Sequence, residues 1–218
     1  MRIFTLKIAF FLLVALQAIS FAGGMKTSVF DTKHNFSTTG KGDIKSLTET
    51  RVCIFCHSSH NSSKEGPLWN HKTTIPSKFQ TYNRSSLKST PEQPNGATKL
   101  CLSCHDGTIA VGAVKGFARP IQLTNTGNQG EIPAGKKSNL GMDLRGTHPV
   151  SVRFDQSLAV MDKNLLWPPS DPENEVGVDS NGYIQCTSCH DPHGSRSSKY
   201  PFWKKATFSE VCLVCHKY

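Results

Sequence analysis

The chain has 218 residues, 37% of them hydrophobic, and its 25 lysines and arginines exceed 16 acidic residues to give a formal charge of +9. So little apolar side chain, diluted by Gly, Pro, Ser, Asn and Thr, is a poor match for a self-sufficient packed core, whether in one domain or two small ones. The charge invites a nucleic-acid partner, but the basic residues are scattered rather than striped and no nucleic-acid-binding motif is present, so that class is set aside.

Taken in order, residues 1–22 read as a secretory signal peptide. Arg2 and Lys7 supply a positive start, Ile8 to Ile19 an apolar run, and Ser20-Phe21-Ala22 a small-x-small cleavage site before Gly23. The run is shorter than the roughly 20 residues of a membrane span, so the expected mature chain, 23–218, is exported and keeps no span. An uncleaved anchor is the alternative. Residues 23–52 are polar and carry His34 within Lys33-His34-Asn35-Phe36-Ser37. Then comes Cys53-Ile54-Phe55-Cys56-His57, followed by His60 and by Pro67-Leu68-Trp69-Asn70-His71.

Residues 72–99 read as a surface loop. Cys101-Leu102-Ser103-Cys104-His105 follows, and Ile109-Ala110-Val111-Gly112-Ala113-Val114 after it predicts a short helix. Residues 118–147 are loop-like, and the alternation from His148 to Phe154 predicts a short strand. Between 155 and 185 lie Trp167-Pro168-Pro169 and the acidic residues Asp171, Glu173, Glu175 and Asp179, whose spacing matches no calcium loop and predicts a solvated segment. Cys186-Thr187-Ser188-Cys189-His190 precedes His193, and Cys212-Leu213-Val214-Cys215-His216 closes two residues before the end.

Four Cys-x-x-Cys-His boxes therefore use all eight cysteines. The box is the attachment signature of a c-type haem: two thiols add across the vinyl groups of one porphyrin, and the adjacent histidine reaches the iron from one face. A zinc knuckle or redox pair is the rival for one box. Histidine is 9 of 218 residues, so its presence after all four boxes by chance has odds on the order of one in 300,000. The reading is four covalent haems, attached at Cys53, Cys56, Cys101, Cys104, Cys186, Cys189, Cys212 and Cys215, with proximal ligands His57, His105, His190 and His216. Haem supplies the apolar mass that the sequence lacks, so the expected fold is mostly irregular, with short α-helices and few short strands around a stack of four haems. Each box is expected to open a short helix. Loss of residues 1–22 and gain of haem propionates would bring the charge from about +7 to near +3.

Five histidines, His34, His60, His71, His148 and His193, face four distal positions, against Met25, Met142 and Met161 as the other candidates. His60 and His193 follow their boxes by three residues and project from the same side as His57 and His190, so neither can complete the haem beside it. Each should ligate a different haem and clamp two together.

The series KHNFS, CIFCHSSHN, PLWN, KLCLSCHDGTIAVGAV, THPVS, QCTSCHDPHG and CLVCH resembles the doubled-CxxCH tetrahaem cytochrome family. It is most similar to the outer-surface (OmcE-like) members from metal-reducing bacteria, which polymerise into extracellular nanowires. The resemblance implies distal ligands at His34, His60, His148 and His193. It leaves His71 as the spare, whose replacement is expected to change little. It also implies that a distal histidine can cross between subunits, with His34 on a loosely structured arm as the donor. The expected function is long-range electron transfer by an exported electron carrier, with other multihaem cytochromes and extracellular acceptors such as metal oxides as redox partners, and a homopolymer as the assembly. The alternatives are a monomeric periplasmic shuttle, a membrane-anchored quinol dehydrogenase or a multihaem reductase.

Overall fold

Buried apolar side chains gather in small separate clusters: Ile44, Val111 and Ile132; Phe79, Leu102 and Leu144; Val152, Phe154, Leu158 and Ile184; and Val176, Val211 and Val214. The computed structural model describes residues 26–74, 78–197 and 202–217, so the expected signal segment lies outside the described residues. None of these clusters is large enough to be the core of a chain this long. Several of them pack on box cysteines. Cys104 lies on the Ile44 cluster, Cys215 on the Val152 cluster, and Cys189 and Cys215 together on the Val176 cluster.

Regular structure among the described residues is sparse, as the composition predicts. Helices run over Gly96–His105 (α1), Gln156–Met161 (α2), Cys186–Cys189 (α3) and Phe208–Cys212 (α4), with 3-10 turns at Val29–Asp31 and Cys53–Phe55. Strands Val152–Arg153 (β1) and Tyr183–Ile184 (β2) pair antiparallel, Val152 opposite Ile184. The Asp155 carboxylate accepts the Leu158 N–H and starts α2. Thr207 and Glu210 cap α4 reciprocally.

The boxes do not all open helices. Only the third does so; the second ends α1, the fourth begins at the last residue of α4, and the first lies on a 3-10 turn. Helix position is set by where a cap falls, whereas the box needs only one turn of local geometry.

The run Ile109–Val114 is not a helix. Val111 donates to Gly130 O and Ile121 to Gly112 O, both at 2.9 Å, so the segment pairs with its neighbours in the chain. Gly112 permits that approach, since a Cβ there would lie 2.0 Å from the Ile121 carbonyl oxygen.

The N-terminal arm is docked rather than loose. Thr27 exchanges hydrogen bonds with Ser195, Asn35 and Ser37 are buried and bonded to each other at 2.7 Å, and Ile44 enters a cluster.

The acidic segment is also more than a solvated loop. The Asp171 side chain is 2% exposed and ion-pairs with Lys205 at 2.7 Å. It accepts the backbone N–H groups of Glu173, Glu175 and Val176. Burial opposes its ionisation, but Lys205 and these donors outweigh burial and hold it at about 2.

Candidate haem sites

The boxes meet through α1 and α3. Gln185, buried just before α3, accepts the Thr98 N–H at 3.2 Å, while Thr98 Oγ1 accepts the Cys186 N–H at 3.1 Å. The neighbouring thiols of Cys101 and Cys186 act on each other, which raises the Cys101 thiol and lowers that of Cys186. The thiols of Cys56 and Cys104 are pushed up to about 12, and those of Cys189 and Cys215 to about 11, by burial first of all. Thiols kept neutral in apolar surroundings suit a bond to a porphyrin vinyl group better than a metal-thiolate role.

Six of the nine histidines lie in neighbouring twos. His57 and His193 have ring centres 6.0 Å apart and planes only 16° from parallel. His34 and His105 lie 6.1 Å apart at 55°, and His148 and His216 lie 6.3 Å apart at 83°. A metal–imidazole bond of about 2 Å, with roughly 1.2 Å more to the ring centre, would set two axial rings about 6.4 Å apart across one iron. Each pair joins the histidine of one box to a histidine from elsewhere in the chain. Among the described residues no three His, Cys, Asp or Glu side chains gather as a site for a bare metal ion.

Ring nitrogens show how these side chains are oriented. His57 donates Nδ1–H to Pro67 O at 3.2 Å, His34 to Pro192 O at 3.1 Å, His105 to Ser138 O at 2.6 Å and His148 to Pro149 O at 2.9 Å. His193 Nδ1 lies 3.4 Å from the Asp191 carboxylate. A carbonyl only accepts, so the proton sits on Nδ1 and the Nε2 lone pair is left for a ligand bond, an arrangement typical of metal-bound histidine. Burial lowers His34 to about 4, with the neighbouring His105 acting the same way, and this keeps the imidazole neutral. His216 is lowered too, by burial and then by His148.

His71 differs from all of these. Its ring is buried, Nδ1 faces Lys72 O at 2.8 Å, and Nε2 faces Ala110 O at 3.0 Å. Burial keeps the ring neutral, so its single N–H serves one of these carbonyls, and Nε2 also lies 3.6 Å from Cys104 Sγ, which leaves both nitrogens enclosed within the chain. His60 is exposed, and His190 lies 5.1 Å from the Trp203 ring. His34 stacks on Phe202 with ring centres 4.2 Å apart, and has His105 of its own chain as a tilted neighbour.

A repeated construction surrounds the first and third boxes. Trp69 pairs with His57 and Trp203 with His190 as antiparallel bridges. Asn70 N–H donates to Cys56 O, and Lys204 N–H to Cys189 O. Ser58 N–H donates to Leu68 O, and Asp191 N–H to Phe202 O. Leu68 and Phe202 share a left-handed backbone, at φ 53° and 66°. The sequences Pro67-Leu68-Trp69-Asn70 and Pro201-Phe202-Trp203-Lys204 could have signalled this repeat, which sequence reasoning missed.

Residues 180–218 match the doubled CXXCH motif. That stretch holds the third and fourth boxes. It supports covalent haem c and a multihaem c-type cytochrome, a class of electron carrier. No curated protein matches the chain. Among the described residues no helix is long and apolar enough to cross a membrane.

Proposed function

We propose that this chain is an exported tetrahaem c-type cytochrome that moves electrons one at a time between bis-histidine haems, as a subunit of an extracellular filament. The observation that carries the tetrahaem reading is the set of three facing histidine pairs, each with one member from a box. The repeat around the first and third boxes supports extending the haem assignment from the matched residues 180–218 to the first half of the chain. It also supports the fourth pairing. His193, from the third box motif, faces His57 of the first, and by the same exchange His60 serves His190.

The haems, when bound, supply the one-electron chemistry. The protein orients the ligands through backbone carbonyls that hold Nδ1–H, spaces the boxes through Thr98 and Gln185, and packs several box cysteines against apolar clusters. With a histidine pair available to each haem, the bound groups would have low potentials and would offer no open position to a substrate. That weighs against a multihaem reductase. Export rests on the character of residues 1–22, and the filament on the sequence resemblance.

Mass spectrometry and electron paramagnetic resonance of the purified secreted protein test the carrier reading. Four haem additions with only low-spin ferric signals are expected; fewer additions or a substantial high-spin population would overturn it. Negative-stain microscopy of the same sample tests the assembly. Regular haem-bearing filaments support the polymer, and small uniform particles would reduce the protein to a diffusing shuttle.

A further inference from the structure

Each main-chain carbonyl of the turn beside the first box already accepts one hydrogen bond, and the buried side-chain oxygen of Asn70 accepts none. Gly66 O accepts Trp69 N–H, Pro67 O accepts His57 Nδ1–H, Leu68 O accepts Ser58 N–H, Trp69 O accepts Ser63 N–H, and Asn70 O accepts Lys115 N–H, all between 2.7 and 3.2 Å. Across the turn, Ile54 O takes the Asn70 side-chain amide and Cys56 O takes the Asn70 N–H. The indole Nε1 of Trp69 lies in the middle of this turn, buried and with no partner in the chain. Its ring stands edge-on to His57, centres 6.2 Å apart and planes at 87°.

An indole nitrogen can only donate, and a buried donor without an acceptor is costly, so native structures rarely keep one. Neither the main-chain carbonyls nor Asn70 Oδ1 takes the Trp69 N–H, which leaves it for a group bound beside His57. On a haem c held at this box, the strong acceptors are the two propionate carboxylates. We propose that Trp69 donates its indole N–H to a propionate of the haem attached at Cys53 and Cys56, as a positioning residue for that group. This rests on the tetrahaem reading, and it gives Trp69 a role that aromatic packing alone does not require.

A donor to the carboxylate stabilises its charged form. Removing it should raise the acid constant's midpoint, weakening that propionate as an acid by about tenfold. The test uses the full holoprotein with Trp69→Phe, and a second variant carrying benzothienylalanine at 69, which keeps the bicyclic shape and replaces N–H by sulfur. The expected result in both is a shifted propionate-bending band in the resonance Raman spectrum of one haem. The pH-dependent step in that haem's potential should move to higher pH by the same tenfold, with the other centres unchanged. Four haems with an unmoved band and pH profile in the benzothienyl variant would overturn the assignment, showing that the N–H meets water or nothing. Absence of haem from Cys53 and Cys56 by peptide mass spectrometry would instead sink the haem reading itself, and this assignment with it.

Discussion

The imidazoles of His57 and His193 lie nearly parallel with their centres 6.0 Å apart, although one belongs to the first box and the other follows the third. The pair joins the two halves of the chain, alongside the contacts of Thr27 with Ser195 and of Thr98 with Gln185. His34 extends the tie, because its Nδ1–H bonds to the carbonyl of Pro192, next to His193. A change at any of these rings should therefore be felt at one iron without disturbing covalent attachment elsewhere.

Replacing His193, His34 or His148 by alanine should leave four haem additions in the mass spectrum and convert one iron of four to a high-spin or water-ligated form. The low-spin resonance intensity should fall by about a quarter in each single variant. A fully low-spin spectrum for His148→Ala would mean that His148 is not a ligand and would disqualify the His148–His216 pair.

His71→Ala should behave in the opposite way. All irons should remain low-spin, because both ring nitrogens are enclosed by the chain, against the carbonyls of Lys72 and Ala110 and the sulfur of Cys104. Stability should nonetheless fall by about 2–3 kcal/mol, since a buried ring is lost and one carbonyl loses its donor. Denaturant melts followed by circular dichroism would measure this. An unchanged midpoint would contradict the packing role, and would restore the sequence-based expectation that the change matters little.

The Asp171–Lys205 cluster predicts an acid limit. Asp171 is held at about 2, below the ordinary 3.8, so the unfolded chain takes up this proton first as pH falls. Its contribution is full above about 3.8 and is lost as pH drops through about 2. Asp171→Asn should cost about 1–2 kcal/mol at neutral pH, and the variant should lose less than the parent on acidification over that window. Parallel slopes of stability against pH for parent and variant would argue against the ion pair as the source.

Gln185 is the residue whose removal should most loosen the second box from the third. Its Oε1 accepts Thr98 N–H, and its amide donates to Asn95 at 2.7 Å and Asp179 at 3.0 Å. Gln185→Ala should lower stability by about 2–4 kcal/mol while leaving haem content at four. Hydrogen exchange should report the loss first at Thr98 and Cys186. Protection at both positions equal to the parent's would mean that α1 and α3 hold together without it.

The four Cys-x-x-Cys-His boxes were legible in the sequence because each lies within five consecutive residues, and the haem reading proposed for them needs no tertiary contact. The irregular architecture was legible from composition, since there is too little apolar side chain for one large core. The positions of helices relative to the boxes were not, because capping residues outside the motif, such as Thr207, decide where a helix begins. Nor was the docking of the N-terminal arm, which depends on contacts between Thr27 and Ser195 at opposite ends of the chain. The facing of His57 with His193 and of His34 with His105, and the enclosure of His71 between two carbonyls, are properties of the tertiary structure alone. Spacing can forbid a histidine from reaching the group beside it, but which distant ring it meets depends on how the loops pack.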